Sequence, residues 1–472
     1  MRYLAVLETP SIKKYVFGTD KLAEIRGASA LLDNLNRNEL EQILYPAKKV
    51  YANGGSGQFV FEMPQEEMIA KLKQAQKRYI EATGGGASLV WGFSEYEIGS
   101  SYQESIGRAY ADMHRRRYAD VSISYSQGMP LVKICESCGQ NPVFEYFKFP
   151  EPNWLCNTCR IKRDNAHQSK QSGIWRQFVS ETGLNCEPVK TLADIKPKLA
   201  LVYADGNAMG KRIRQLASPE DYKLFSKAVD DAIRVACFKG LRSVVEAYLP
   251  DSREVPADIL LLGGDDLVVV LPAEKALKFT YTVASTFELE TERALGKKIT
   301  LSLGVVIGGP TYPFAFMLDY ADQLLRNAKE KATSINSEEP PSTVDFHIVS
   351  SSSSLDIKTV RNEYGIDCDE YKRTRRPYTL NDLEVLFTIK QQLNAAKVPK
   401  SCLNNIYQAL FGTYKQAAYC TKKIWVSCRK EVRTQLTMAL QKAGCFDNMP
   451  WSSQKDTIIT ELVEFYDYIS ND

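Results

Sequence analysis

The stretch Leu261-Leu262-Gly263-Gly264-Asp265-Asp266-Leu267 decides the fold. Residues 257–262 are apolar and β-rich, and so are residues 267–271. The four residues between them have turn chemistry, so the segment reads as a hairpin. Upstream, residues 199–205 form another apolar run that ends in Asp205-Gly206, which reads as a strand closed by a tight turn. In a sheet that sets this strand beside the hairpin, Asp205, Asp265 and Asp266 crowd together. Three carboxylates at close range repel unless a cation neutralises them, and oxygen ligands of this kind suit Mg²⁺ or Mn²⁺. Two such ions bind a triphosphate, activate an attacking hydroxyl and stabilise the leaving pyrophosphate. Gly263 and Gly264 let the backbone turn sharply and a nucleotide come close. An ordinary hairpin turn also favours Asp and Gly. The flanking apolar strands, and Asp205 at the end of an earlier strand, argue for the metal site.

Working outward, helices are expected at 208–216, 219–248 (with Ser218 as cap before Pro219), 272–295 and 312–331, with strands at 299–307 and 343–349. The order β-α-α-β-β-α-β-α-β resembles a ferredoxin-like palm, an antiparallel sheet with helices on one face. The first 125 residues repeat it: strand 2–8, helices 21–32 and 37–44, strands 49–52 and 58–61, helix 65–82, strand 87–91, helix 102–118 and strand 121–125. A glycine-rich hairpin, Asn53-Gly54-Gly55-Ser56-Gly57, recurs at the same point. This pattern suggests a diverged duplication; two unrelated α+β domains would give the same order. In the first palm, Ser56-Gly57 stand where the second has Asp265-Asp266, and Glu8 stands for Asp205. One carboxylate holds two metals poorly, so this palm is expected to make no bonds. Its loop, with Gly55 and Ser56, either offers backbone groups to a nucleotide or is a plain glycine loop.

Cys135-x-x-Cys138 and Cys156-x-x-Cys159 are seventeen residues apart. Two such pairs suit a tetrahedral structural zinc, in an insert too small to fold without metal. The fold class is α+β: two ferredoxin-like, nucleotide-cyclase-like palm domains, a zinc-ribbon insert and a C-terminal helical bundle. The expected limits are 1–129 for a degenerate first palm, 130–165 for the zinc insert, 166–198 for a linker, 199–350 for the catalytic palm and 351–472 for the helical domain. Helices in the last are expected at 381–394, 401–409, 415–441 and 453–469.

The chain has 472 residues, 44% hydrophobic and 25% charged, which excludes a wholly disordered or collagen-like chain and leaves room for two to four domains. A net charge of +3 does not indicate a nucleic-acid coat protein. No apolar run is long enough to span a membrane, and with one early Arg and no long apolar run in residues 1–10, no secretory signal is expected. Seven of the eleven cysteines are scattered, which favours a reducing, cytoplasmic setting. Basic runs such as Arg115-Arg116-Arg117 and Arg160, Lys162, Arg163 read as solvated faces or as RNA or protein contacts.

The hairpin string resembles the signature of the large subunit of type III CRISPR effector complexes, a family with palms related to polymerases and GGDEF-type cyclases. Further matches are Tyr203-Ala204-Asp205-Gly206-Asn207-Ala208-Met209-Gly210, Ser302-Leu303-Gly304-Val305, Ala321-Asp322 with Ala328-Lys329, Thr9-Pro10-Ser11-Ile12-Lys13-Lys14-Tyr15-Val16-Phe17 and Leu22-Ala23-Glu24-Ile25-Arg26-Gly27-Ala28-Ser29. The resemblance implies a nucleotidyltransferase that joins ATP into cyclic oligoadenylate messengers in antiviral defence. It implies that Asp205, Asp265 and Asp266 bind the metals, that Lys329 and more weakly Lys211 contact triphosphate, and that Gly206, Gly263, Gly264 and Ser302 line the nucleotide. Lys211 and Lys329 read equally as solvated helix residues. Effector subunits, guide RNA and target RNA are the implied partners, with a stand-alone oligomer as another form. Many members carry an N-terminal histidine–aspartate nuclease domain; this chain starts at the first palm, so no DNA cutting is expected of it. A dormant RNA- and protein-binding scaffold, or a stand-alone cyclic dinucleotide synthase, are the alternatives.

Overall fold

The structure, a computed structural model, describes all residues except 98, 120–131, 149–151, 170–172, 350–355, 364–370, 446–448 and 470–472. The strand expected at 121–125 and the serine run at 350–354 lie outside the described residues.

The apolar run at 199–204 becomes the strand Leu199–Gly206 inside a six-stranded sheet. The order is Asp258–Gly263, Asp266–Pro272, Leu199–Gly206, Leu301–Gly308, Thr343–Ile348, Tyr378–Thr379. The first four are antiparallel. Thr343–Ile348 runs parallel to Leu301–Gly308, because the helix Phe314–Ile335 carries the chain back across the sheet. Helices cover both faces, not one as expected. Ala200, Val202 and Ala204 join the core built on the helices Pro219–Tyr248 and Ala273–Leu295. Leu201 and Tyr203, pointing the other way, join the core of Phe314–Ile335 and the first palm. The unbroken apolar run of this strand is the mark of burial on both faces.

The first palm has the sheet order Lys48–Asn53, Ser56–Glu62, Arg2–Glu8, Val90–Glu95. This is the same hairpin, first-strand, fourth-strand order, so the repeat holds in topology. Register corrects one equivalence. Glu8 pairs with Ser56 and Asn53 with Ser56, while Ala204 pairs with Leu267 and Gly263 with Asp266. Gly55-Ser56 therefore stand for Asp265-Asp266, one residue earlier than the sequence suggested.

The two helices expected after the first strand are one continuous run, Leu22–Asn34, a π turn Leu35–Glu39 and Leu40–Leu44. Arg26 crosses from it to Asp258 of the second palm at 2.6 Å, and Tyr51 stacks on Tyr222 with centroids 4.6 Å apart. The palms thus share one buried interface.

At the C-terminal end, the run expected at 415–441 breaks into Tyr414–Ser427 and Lys430–Lys442. Only Ile459–Glu464 forms in the segment expected at 453–469. Tyr378–Thr379 supplies the sixth strand, and Phe465 packs on Phe346 of the sheet. Arg376, paired with the buried Glu461 at 3.1 Å, also donates to the Phe346 carbonyl at 3.1 Å and so ties this end to the palm sheet. No described helix is long and apolar enough to cross a membrane.

Candidate functional site

Asp205 is the penultimate residue of its strand, and the antiparallel register, with Ala204 opposite Leu267, carries it beside Asp266 on the neighbouring strand. Gly206 follows; a Cβ at that position would stand 2.7 Å from Asp265 Oδ2. The three carboxylates therefore gather at one end of the sheet, as the motif predicts. Burial, with repulsion from Asp205 and Asp266, pushes the Asp265 carboxyl up to about 7. Burial and the charge of Asp205 push Asp266 up to about 6, although Lys13 and Lys329 oppose the rise.

Two ammonium groups stand among these carboxylates. Lys329, on the Phe314–Ile335 helix, donates to Asp205 Oδ2 at 2.5 Å. Lys13, from the first palm, has its Nζ 3.8 Å from Asp266 Oδ1. That oxygen is shut from solvent and accepts no hydrogen bond. A buried, unbonded carboxylate oxygen is costly and fits a hard cation such as Mg²⁺ or Mn²⁺. The aspartates do not converge as tightly as the cysteines do, with Asp205 and Asp266 each facing a lysine.

The remaining site residues divide. Gly263 closes its strand opposite Asp266, and Gly264 with Asp265 makes the turn; the first palm's turn abuts it, since a Cβ on Gly54 would stand 3.4 Å from the Gly263 carbonyl oxygen. Gly55 lies in that facing turn and Ser56 opens the strand that leaves it. Ser302 is fully buried, its hydroxyl donating to Asn207 Oδ1 at 2.8 Å and lying 3.1 Å from Thr343 Oγ1; it meets protein where a nucleotide contact was expected. Lys211 pairs with Glu338 at 2.8 Å and donates to the Ser337 carbonyl, so it does not join the carboxylates. Glu8 has Arg117 at 3.9 Å.

Three residues escaped the sequence reading. Asp230, on the Pro219–Tyr248 helix, accepts the Gly264 N–H at 3.1 Å. Arg37, from the π turn of the first palm, grips Asp230 with two hydrogen bonds of 3.1 and 3.0 Å and Asp33 with one of 2.6 Å. Lys13 is the third. The π turn is itself a signal of the kind that marks functional positions, but it is invisible until the helix is built.

A second centre lies in the insert. The Sγ atoms of Cys135, Cys138, Cys156 and Cys159 all fall within 4.8 Å of one another, the one such cluster among the described residues. Cys138 and Cys156 are 3.9 Å apart, close to the roughly 3.8 Å edge of a tetrahedral site with Zn–S bonds of about 2.3 Å. The Cys159 N–H points at Cys156 Sγ, 3.4 Å away. This donor set fits zinc.

Paired palms, one with three gathered carboxylates and one without, define a tandem-palm protein. Residues 198–336 match the family model of the Cas10/Cmr2 second palm domain, which bears out the large-subunit resemblance carried by the motifs. Solved structures share the fold. Csm1 from T. onnurineus is 13% identical with a TM-score of 0.59, over 99% of this chain and 69% of that one. The Csm1–Csm4 cassette with pppApApA is 13% identical with a TM-score of 0.61, over 99% and 69%. The cassette with cA4 is 12% identical with a TM-score of 0.60, over 99% and 70%. No curated protein matches the chain.

Proposed function

We propose that this chain is a metal-dependent nucleotidyltransferase that joins ATP into cyclic oligoadenylate, as the large subunit of a type III CRISPR effector. The observation that carries the reading is the gathering of Asp205, Asp265 and Asp266 at the turn facing the first palm, with Asp266 Oδ1 buried and unbonded. The solved Csm1–Csm4 cassettes in complex with cA4, pppApApA and ATP support ATP as substrate and an effector subunit as partner. The expected domain limits stand as part of this proposal.

Bound Mg²⁺ or Mn²⁺ would polarise the phosphates and activate the attacking 3′-hydroxyl. Asp205, Asp265 and Asp266 would hold the ions. Lys329, once a metal takes Asp205, is placed to meet phosphate. Gly263 and Gly264, lacking side chains, let the first palm's turn come within van der Waals contact of this one. Gly55-Ser56 in the first palm carry no carboxylate, so that palm would position a second ATP rather than react with it. The test is to incubate the zinc-loaded chain with each NTP and Mg²⁺ or Mn²⁺, alone and then with partner subunits and target RNA, and to resolve products by mass. Cyclic products built from AMP units are expected; a cyclic dinucleotide, or no product in any arm, overturns the reading.

The turn also needs its support. Asp230→Ala leaves the Gly264 N–H without its acceptor and Arg37 with Asp33 in place of its two bonds to Asp230, and a misplaced turn misplaces Asp265 and Asp266. Steady-state kinetics should show turnover about tenfold lower, with the ATP KM within about twofold. Asp230→Asn, which keeps an acceptor oxygen, should recover most of it. Full turnover in the alanine variant would show that the turn holds itself.

A further inference from the structure

Lys13 belongs to the first palm, yet its ammonium group stands at the carboxylates of the second. Its backbone is fixed. It lies on the short helix Ile12–Val16, beside Thr9, whose N–H donates to the Gly55 carbonyl at 2.7 Å. A Cβ on Gly55 would strike Ile12 Cδ1 at 1.7 Å, so this helix sits directly on the first palm's turn. That turn in turn abuts Gly263. The side chain, by contrast, rests on weak, partly solvent-exposed contacts. It is 43% exposed, and it rests on the Tyr203 ring with Nζ 4.4 Å from the centroid. Its 3.8 Å separation from Asp266 Oδ1 is an electrostatic contact beyond hydrogen-bond range, readily exchanged for a better partner.

We infer that Lys13 is a catalytic-site residue lent by the first palm: it neutralises Asp266 while the centre is free of metal, and it turns to the triphosphate of ATP when a divalent cation takes that carboxylate. A metal ion repels the ammonium group from Asp266, and the triphosphate brought with the metal attracts it. Because the Lys13 backbone is pinned to the first palm's turn, the charge reaches the site only while the two turns are apposed. Separation of the palms would withdraw it. The inference rests on the metal-dependent nucleotidyltransferase reading.

The test uses the zinc-loaded full chain and two readouts. The first is Mn²⁺ binding without nucleotide, followed by the resonance signal of free Mn²⁺, with the Asp265→Asn, Asp266→Asn variant as the blank. The second is ATP affinity, by equilibrium dialysis and as KM. Lys13→Met keeps the apolar stem on Tyr203 and removes the charge. It should bind Mn²⁺ about three- to tenfold more tightly, since the competing cation is gone, and ATP about tenfold more weakly. Lys13→Arg should restore ATP affinity to within about threefold of wild type, by keeping a cation at the phosphates. A methionine variant whose Mn²⁺ affinity is unchanged or lower, or whose ATP affinity is unchanged, overturns the inference. Wild type that binds Mn²⁺ and ATP but makes no product defeats the nucleotidyltransferase reading, and dialysis still decides on Lys13. Normal product from Lys13→Met at unchanged KM defeats Lys13 alone. Wild type that takes up no Mn²⁺ above the blank defeats both.

Discussion

The Asp265→Asn, Asp266→Asn double variant is expected to lose at least about a thousandfold of its ATP-dependent product formation while folding as wild type does. The loss follows from the proposed function, in which these carboxylates hold the metal ions. Metal stabilisation of phosphoryl transfer contributes several kcal/mol, and each 1.4 kcal/mol is about tenfold in rate. Amides keep the size of the side chains and remove the charge that holds the ions. The fold should tolerate the change. A carboxyl whose pKa in the folded state stands above its unfolded value loses stability as pH rises through that window. Asp265 at about 7 and Asp266 at about 6 are such groups. Their neutral replacements escape this loss, offsetting the lost attraction between Lys13 and Asp266. The melting temperature at pH 8 should therefore stay within about 2 °C of wild type. Product unchanged in the double variant would place the chemistry elsewhere. A large drop in melting temperature would mean that the aspartates are structural.

How much of this was legible in the sequence depends on the range of the contact. The hairpin was read correctly because its signals are local: two apolar strands and a turn of Gly and Asp. Asp205 came with it, since the end of a neighbouring strand in an antiparallel sheet must fall near the turn. Register lies one level up. Asn53-Gly54-Gly55-Ser56-Gly57 can be laid on Gly263-Gly264-Asp265-Asp266 in two ways, and only strand pairing chooses Gly55-Ser56 as the counterpart of the aspartates. Ser302 was beyond sequence reading in another sense. Its strand is buried on both faces, so alternation gave no clue to which residues meet open space. Asp230, Arg37 and Lys13 are ordinary charged residues on helices, and what distinguishes them is the packing of one palm on the other. Arg37 meets Asp230 across 193 positions of sequence, a distance no periodicity spans. The polar end of the helix Leu22–Asn34 reads as a break, but the π turn that follows it delivers Arg37 to Asp230, which accepts the Gly264 N–H.

The zinc insert tests whether that packing matters. Its own core among the described residues, apart from the four cysteines, is Leu155 with the partly buried Phe147. Apolar burial on that scale cannot order a segment of this size, whereas a structural zinc contributes on the order of 10 kcal/mol of apparent binding energy. The insert is also a clamp. Its helix Asn157–Ser169 lies against Leu22–Asn34 so closely that a Cβ on Gly27 would stand 1.8 Å from the Lys162 carbonyl oxygen. Arg163 binds the buried Glu24 at 2.8 Å, Thr19 lies 2.8 Å from Ser137, and Lys162 donates to the Tyr15 carbonyl. Tyr15 is two residues from Lys13. Removing the metal should thus loosen the support of Lys13 as well as the insert. Cys156→Ser, or exhaustive chelation, should lower the first melting transition by about 5 °C or more. It should also cut ATP-dependent product at least about tenfold, through a weaker ATP affinity. Elemental analysis should find one zinc per chain in wild type and less than about a fifth of that in Cys156→Ser. If the zinc-free protein melted lower yet bound ATP as wild type does, the insert would stabilise the fold without reaching the catalytic turn, and the path from Lys162 through Tyr15 to Lys13 would carry no coupling.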